Sequence, residues 1–130
     1  MKILLDTHIL LWTITGSSFL PDNVKDLIND PDNDIYVSIV SPWEVEIKHD
    51  KHPDKMPIDA NELIKYCALS GFSRIGIRPG HIMRLSELES GKHGDPFDRM
   101  LLCQAKEEDM TLITHDKRLA EYDYCRLLLI

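Results

Sequence analysis

Four acidic residues occupy similar positions relative to the predicted strands and helices, and carboxylates are side chains that bind divalent cations. Asp6 ends the apolar run "KILL", and Asp116 follows the apolar run "TLIT" by two residues. Glu44 lies four residues past the β-branched run "IYVSIV", and Asp98 lies in the first turn of a helix-like segment. If these runs are parallel strands, the four carboxylates lie at one edge of a sheet, where helix N-termini also gather.

Clustered carboxylates favour a bound cation. Two such groups within a few ångströms repel each other by several kcal/mol at an intermediate dielectric constant, so a cluster holds protons or binds a positive ion. Ligation by carboxylate oxygens alone favours Mg²⁺ or Mn²⁺. Such an ion activates water and stabilises a pentavalent phosphate, which is the chemistry of a nuclease. Zinc is disfavoured, because His49 and His52 lie in a polar loop without a nearby cysteine.

The same acids also fit a structural role as helix caps. In "GKHGDPFDRMLLCQA", Asp95 is a predicted N-cap and Asp98 is the third helical residue. In "SIVSPWEVEIK", Ser41 is a predicted cap and Glu44 stands at the equivalent third position. The other two acids can likewise cap the helices that follow them. Capping explains each acid separately but not their common edge, so both interpretations stay open at this point.

Composition limits the function classes. The chain has 130 residues, which predicts a single domain over residues 1–130. A formal net charge of −7, from 15 basic and 22 acidic residues, argues against affinity for nucleic acid through a coat of Lys and Arg. The apolar N-terminal run is interrupted by Asp6 and His8, so we expect no signal peptide and no membrane span. Three cysteines without CxxC spacing predict reduced thiols and a cytoplasmic location.

Apolar runs alternate with helical periodicity along the whole chain, which predicts an α/β fold with a mainly parallel sheet covered on both faces. In the helix predicted for residues 79–91, we expect Ile82, Leu85 and Leu88 to face inward. The predicted strands are residues 2–5, 35–40, 72–77, 110–114 and 125–130. The other predicted helices are residues 7–12, 23–30, 58–71 and 116–122, with two more beginning at Ser41 and Asp95.

Four motifs in this order resemble those of the PIN-domain ribonucleases, especially the VapC-like toxins of toxin–antitoxin pairs. The motifs are "LLDTHILLW", "SIVSPWEVEIK", "HGDPFDRMLLCQA" and "TLITHD", and the resemblance spans residues 3 to 116. It implies a three-layer α/β/α sandwich with a mainly parallel sheet of four or five strands. It also implies an endoribonuclease that depends on Mg²⁺ or Mn²⁺, has RNA as its substrate and has a cognate antitoxin protein as its partner.

By this resemblance, the catalytic and metal-binding residues are Asp6, Glu44, Asp98 and Asp116. Asp95 is interpreted as a cap or as an acid beside the metal ligands. Hydroxyl groups that can orient the carboxylates belong to Thr7, Ser38, Ser41 and Thr114. Basic residues that can meet RNA phosphates near the rim are Lys48, Lys51, His52, Lys55, Lys92, His93 and Arg99. Trp12 and Trp43 are interpreted as core residues rather than binding residues.

Other functions fit the sequence less well. A phosphoacceptor receiver domain needs tandem acids after its first strand, whereas Asp6 stands alone. A phosphohydrolase with a DxD pair lacks its second acid here, because the sequence reads Asp6-Thr7-His8. A metal-free interaction domain, in which the acids only cap helices, remains an alternative. Amphipathic helices at residues 21–30 and 59–69 suggest a homodimer.

Overall fold

The computed structural model describes residues 1–88 and 94–130, and its centre is a parallel β-sheet. In the described residues the sheet has five strands in the order β3-β2-β1-β4-β5, and every adjacent pair is parallel. The prediction of a mainly parallel sheet is confirmed, with five strands rather than four. The strands are Lys2–Leu5 (β1), Asp34–Ser38 (β2), Ser73–Ile75 (β3), Thr111–Thr114 (β4) and Leu127–Leu129 (β5).

The central strand β1 is buried on both faces. Ile3 and Leu5 belong to the core on one side of the sheet, and Leu4 belongs to the core on the other. None of the three is more than 1% exposed. A continuous apolar run is what a parallel strand covered on both faces requires, which explains why "KILL" lacks the polar alternation of a surface strand.

Helices form the two outer layers, so the predicted three-layer α/β/α arrangement is confirmed. Helices α1, α2 and α4 pack on the face of Ile3 and Leu5, whereas α6 and α7 pack on the face of Leu4. No helix in the described part of the chain is long and apolar enough to cross a membrane. The helices are Thr7–Thr15 (α1), Asp22–Asn29 (α2), Val40–Lys51 (α3), Ala60–Leu69 (α4), Pro79–Met83 (α5), Pro96–Glu107 (α6) and Lys117–Ala120 (α7).

The start of α3 differs from the prediction. Strand β2 ends at Ser38, and α3 already begins at Val40, so Ser41 is a buried residue inside the helix and not its cap. The reason is a local turn, because the Ser38 hydroxyl oxygen accepts a hydrogen bond from the Val40 N–H at 3.0 Å. Glu44 therefore lies beyond the first helical turn, and the predicted capping position for this acid is wrong.

The helix predicted for residues 79–91 ends earlier as an α-helix and is turned differently, and the predicted residues 89–91 lie outside the described part of the chain. After α5 the described chain continues as a 3-10 helix, Arg84–Glu87, and Leu88 is buried as expected. Ile82 was expected to face inward, but it is 49% exposed, and His81 is fully buried instead. The His81 ring accepts a hydrogen bond from the Arg78 N–H and contacts Glu108, which fixes this helix face. Hydrogen bonding thus overrides the apolar pattern here.

Candidate functional site

A polar cleft of about 490 Å³ opens at the carboxyl edge of the sheet, where β1, β2 and β4 end. All four acids singled out in the sequence line this cleft, although they come from four separate segments of the chain. The structure therefore brings together the set that the spacing suggested. The lining residues are Asp6, His8, Glu44, Lys48, Asp95, Asp98, His115, Asp116, Lys117 and Arg118.

Asp6 connects the central strand to α1 at the base of the cleft. Its side chain caps α1 by accepting a hydrogen bond from the His8 N–H at 3.4 Å. The Thr114 hydroxyl donates a second hydrogen bond to the other carboxylate oxygen. Asp6 is only 3% exposed, and this burial raises its pKa, although the hydrogen bond from Thr114 acts in the opposite direction. The capping role and the position in the cleft therefore coexist in one residue.

Glu44 is held in position from both sides. The Thr7 hydroxyl donates to Glu44 Oε1 at 2.9 Å, and Lys48 Nζ lies 2.6 Å from Glu44 Oε2. Because Thr7 uses its only hydroxyl proton on Glu44, the Ser41 hydroxyl, 2.9 Å away, must donate to the Thr7 oxygen. Thr7 thus has the orienting role that the sequence allowed, and Ser41, which was predicted as a cap, belongs instead to a chain of two hydroxyls that ends on a buried carboxylate.

Asp95 and Asp98 enter the cleft from the first turn of α6. Asp95 is the N-cap, and its Oδ1 accepts hydrogen bonds from the N–H groups of Phe97 and Asp98 at 2.8 and 3.3 Å. The predicted capping role of Asp95 is therefore confirmed. Asp98 is one of the buried charged residues, at 9% exposure. Since Asp95 already supplies the cap, capping does not explain why a second acid is buried against the cleft.

Asp116 lies on the more open side of the cleft and caps α7. It accepts a hydrogen bond from the Arg118 N–H at 3.0 Å. The Arg118 guanidinium also contacts both carboxylate oxygens, with Nη2 at 2.8 Å from Oδ2 and Nε at 3.1 Å from Oδ1. This bidentate pair partly neutralises Asp116.

Negative charge exceeds positive charge in the cleft. Among residues 1–88 and 94–130, five carboxylates line it, against three Lys and Arg side chains, which are Lys48, Lys117 and Arg118. Glu44 raises the pKa of Lys48, although burial of the amine acts in the opposite direction, so this residue stays charged. Burial lowers the pKa of His8, which keeps its imidazole mostly neutral at neutral pH. The cleft therefore has an unbalanced negative charge that favours a divalent cation.

The acids share the cleft without forming a tight coordination sphere. Within residues 1–88 and 94–130, no group of three or more His, Cys, Asp and Glu side chains is close enough together to hold a metal ion. Lys48 and Arg118 instead contact carboxylate oxygens of Glu44 and Asp116. The donor set nevertheless consists of carboxylate oxygens, which matches the ligands that Mg²⁺ and Mn²⁺ prefer.

Several residues that line the cleft were not predicted from the sequence, and the environment of one predicted residue was wrong. The residues that were not predicted are His8, His115, Lys117 and Arg118, although each lies within two residues of a predicted acid. Of the predicted rim residues, Lys48 lines the cleft, whereas Lys92 and His93 lie outside the described residues. Trp43, expected in the core, is 54% exposed and packs edge-on against Phe97 at 4.9 Å.

Sequence comparison identifies the family of the chain. Residues 3–124 match the PIN domain, which is most of the sequence. The chain belongs to the PIN domain family. PIN domains are generally nucleases that use a divalent metal ion. The acidic cleft of this PIN chain lies at the carboxyl edge of its parallel sheet and offers carboxylate oxygens, which are ligands for such an ion. No curated protein matches the chain significantly by sequence.

Solved structures share the fold of this PIN domain at low sequence identity. A chain of the Rickettsia felis VapBC2 complex bound to promoter DNA is 20% identical, with a TM-score of 0.72, and the match covers 99% of this chain and 98% of that one. A chain of VapBC-1 from nontypeable Haemophilus influenzae is 14% identical, with a TM-score of 0.73 and the same coverage. A chain of FitAcB from Neisseria gonorrhoeae is 17% identical, with a TM-score of 0.67, and the match covers 97% and 96%.

Proposed function

We propose that residues 1–130 form a single PIN domain that cleaves RNA phosphodiester bonds with Mg²⁺ or Mn²⁺, as the toxin of a toxin–antitoxin pair in the cytoplasm. The observation that carries this proposal is the cleft itself, which collects carboxylates from four segments of the chain and buries most of them. Burying unbalanced negative charge costs stability, and a structural role as caps does not account for Glu44 and Asp98.

In this proposal Asp6, Glu44, Asp98 and Asp116 hold the cation. When bound, the metal ion supplies an activated water and stabilises negative charge on the phosphate. The protein residues around the ligands set their orientation. Thr7 and Ser41 fix Glu44, and Thr114 fixes Asp6, so these carboxylates need little reorganisation.

The RNA backbone meets cations on the wall formed by α7. Lys117 and Arg118 are exposed and line the cleft beside Asp116, where a phosphate would enter. The net charge of −7 means that these contacts are local and do not attract nucleic acid over the whole surface. Asp95 keeps its capping role and supports Asp98 through the Asp98 N–H.

A cognate antitoxin is the proposed partner, because the solved relatives come from complexes named VapBC and FitAcB. A second groove of about 660 Å³, largely apolar, lies between α1, α4 and residues 55–58, and it shares His8 with the acidic cleft. A protein bound across both features would cover the acids and stop RNA from entering. A homodimer, suggested by the amphipathic helices, also belongs to the proposal.

The decisive experiment compares Asp98→Asn with Asp95→Asn on one RNA in the presence of Mn²⁺. The Asp98 amide keeps the shape but loses the charge that holds the cation, so cleavage should fall by orders of magnitude. Asn caps a helix almost as well as Asp, so the Asp95 variant should keep its melting temperature and most of its activity. Full cleavage by Asp98→Asn with an unchanged melting temperature would contradict the assignment of this residue.

A metal-free interaction domain is the second candidate, since Asp6, Asp95 and Asp116 all cap helices. A thermal melt with increasing Mn²⁺ separates the two functions. A metal site raises the melting temperature as the ion binds the folded state and relieves repulsion between the acids. An unchanged melt at millimolar Mn²⁺ would favour the interaction domain. The expected increase should disappear in Asp98→Asn.

A further inference from the structure

Four rings form a continuous row from the cleft to the protein surface. We define this aromatic row as His8, His115, Trp12 and Phe19. His8 and His115 line the acidic cleft, and their ring centroids are 4.9 Å apart. Trp12 lies 4.9 Å from His115, and Phe19 lies 5.6 Å from Trp12. All three separations are within the range of favourable aromatic contacts.

The fold fixes the row from three separate elements. His8 and Trp12 lie one helical turn apart on α1, so they share a face of this helix. His115 comes from the junction between β4 and α7. Phe19 follows the C-terminus of α1, where the Phe19 N–H donates to the Ser17 hydroxyl oxygen at 3.1 Å. The rings therefore belong to one rigid surface beside Asp6 and Asp116.

The row is not simply part of the hydrophobic core. Phe19 is 74% exposed, and His8 is exposed as well. Within the described part of the chain, the buried Nδ1 of His115 has no hydrogen-bond partner. The His115 ring contacts both His8 and Trp12, and His8 and His115 bring one end of the row into the cleft.

We propose that the aromatic row binds unpaired RNA bases by stacking and so positions the strand whose phosphate enters the cleft. This inference rests on the proposed ribonuclease function. Unpaired bases stack on Trp, Phe and His side chains, whereas bases in a duplex are already stacked on each other. Stacking requires only the π-face of a base, so the row selects unpaired RNA rather than a particular sequence.

The charge of the protein limits other sources of affinity for RNA. A net charge of −7 restricts counterion release to local contacts with phosphates. Stacking supplies affinity that does not depend on the charge of the protein. Lys117 and Arg118, on the adjacent wall, can meet the phosphates of the same strand. RNA binding should therefore be less sensitive to salt than binding by a basic protein.

Tryptophan fluorescence tests the row directly. The sequence has two tryptophans, so Trp43→Phe leaves Trp12 as the only one. In EDTA, an oligonucleotide of adenosines should quench Trp12 emission, whereas an abasic ribose-phosphate strand of equal charge should not. Phe19→Ala should weaken binding of the adenosine oligonucleotide about tenfold, within the range measured for loss of one stacking side chain. Met83→Ala is the matched control, because Met83 is 75% exposed but lies outside the row.

The possible results distinguish the proposal about the aromatic row from the proposal that the protein is a ribonuclease. Quenching without RNA cleavage in Mn²⁺ would support the row while contradicting the proposed ribonuclease. Cleavage without any change in Trp12 emission, or equal affinity of Phe19→Ala and the parent protein, would overturn the row. Equal quenching by the abasic strand would show a phosphate contact and would also overturn it. Trp12 emission that depends on protein concentration alone would indicate a face buried between two copies, which again contradicts the inference.

Discussion

The two ends of α6 carry similar residues but differ in how their charges are balanced. At the N-terminal end, Asp95 and Asp98 line a cleft in which acids outnumber Lys and Arg side chains. At the C-terminal end, Glu107 pairs with Arg84, and Glu108 pairs with Arg78. His81 Nε2 also lies 3.0 Å from Glu108 Oε1. In the described residues, one helix thus joins a region in which acids outnumber cations to a region in which Glu107 and Glu108 are both paired with Arg side chains.

The acids at the C-terminal end of α6 stabilise the fold through ion pairs, whereas the acids at the N-terminal end belong to the proposed metal site. Paired carboxylates at the C-terminal end lock α6 against the segment that contains α5 and the 3-10 helix. The surplus acids at the other end weaken the metal-free protein, because like charges repel when partly buried. Neutralising an acid should therefore have opposite consequences at the two ends, which can be measured.

After Asp98→Asn, the largest effect is expected for Thr7→Val, which removes the hydroxyl that orients Glu44 but keeps the shape of the side chain. Loss of a group that orients a metal ligand typically costs about 10–100-fold in metal affinity or activity. RNA cleavage and Mn²⁺ affinity, measured by calorimetry, should both fall by this amount. Thr13→Val is the control, because the Thr13 hydroxyl bonds only to the Ile9 carbonyl oxygen in the same helix. If both variants cleave equally well, the two-hydroxyl chain does not position the carboxylate.

A smaller effect is expected for Glu108→Gln, at the C-terminal end of α6. The change removes a charge that His81 and Arg78 both contact, and the His81 side chain is fully buried. The free energy of unfolding should fall by about 1–3 kcal/mol, with cleavage unchanged. Urea denaturation provides the measurement. Asp22→Asn should have almost no effect. The Asp22 side chain is 97% exposed, and its ion pair with Lys25, at 3.7 Å, is a surface pair that contributes little to stability.

The smallest effect is the pH dependence of stability, and its sign should differ between the two ends. Burial raises the pKa of Asp6, so ionised Asp6 destabilises the fold as the pH rises through this value. Burial also acts to raise the pKa of Glu108, but hydrogen bonds from His81 and Arg78 outweigh it and lower the pKa. The stability contributed by Glu108 is therefore present above its unfolded pKa and is lost as the pH falls through its folded pKa.

Melting temperatures in EDTA test this contrast. Asp6→Asn should melt higher than the parent protein at neutral pH, and the gain should shrink at about pH 4. Glu108→Gln should melt lower at neutral pH, and its deficit should shrink at about pH 4. Parallel shifts of both variants across this range would mean that the two ends of α6 are electrostatically alike.

Much of the fold follows from local sequence patterns. A continuous apolar run defines the central strand, and helical periodicity defines the longer helix α6. The four acids could be selected because parallel strands bring their carboxyl ends to one edge. Asp95 was assigned as a cap because the Asp-Pro start of a helix has a specific hydrogen-bonding pattern. These predictions depend only on short segments and on one rule of topology.

The remaining features depend on one local side-chain turn and on contacts between distant segments. The register of α3 follows from a hydroxyl turn at Ser38 that propensity does not reveal, so the environment of Glu44 was misjudged. His81 replaces Ile82 in the core because a partner acid, Glu108, is supplied by another helix. The contact between His8 and His115 links α1 to the end of β4. No window of local sequence contains both members of such a pair.

The central position of β1 in the sheet also determines when the cleft can exist. The Thr114 hydroxyl that bonds Asp6 comes from a residue 108 positions further along the chain. During translation the cleft therefore cannot form until β4 has left the ribosome and paired with β1. If the cleft cuts RNA, the nascent chain cannot cleave its own message before that point.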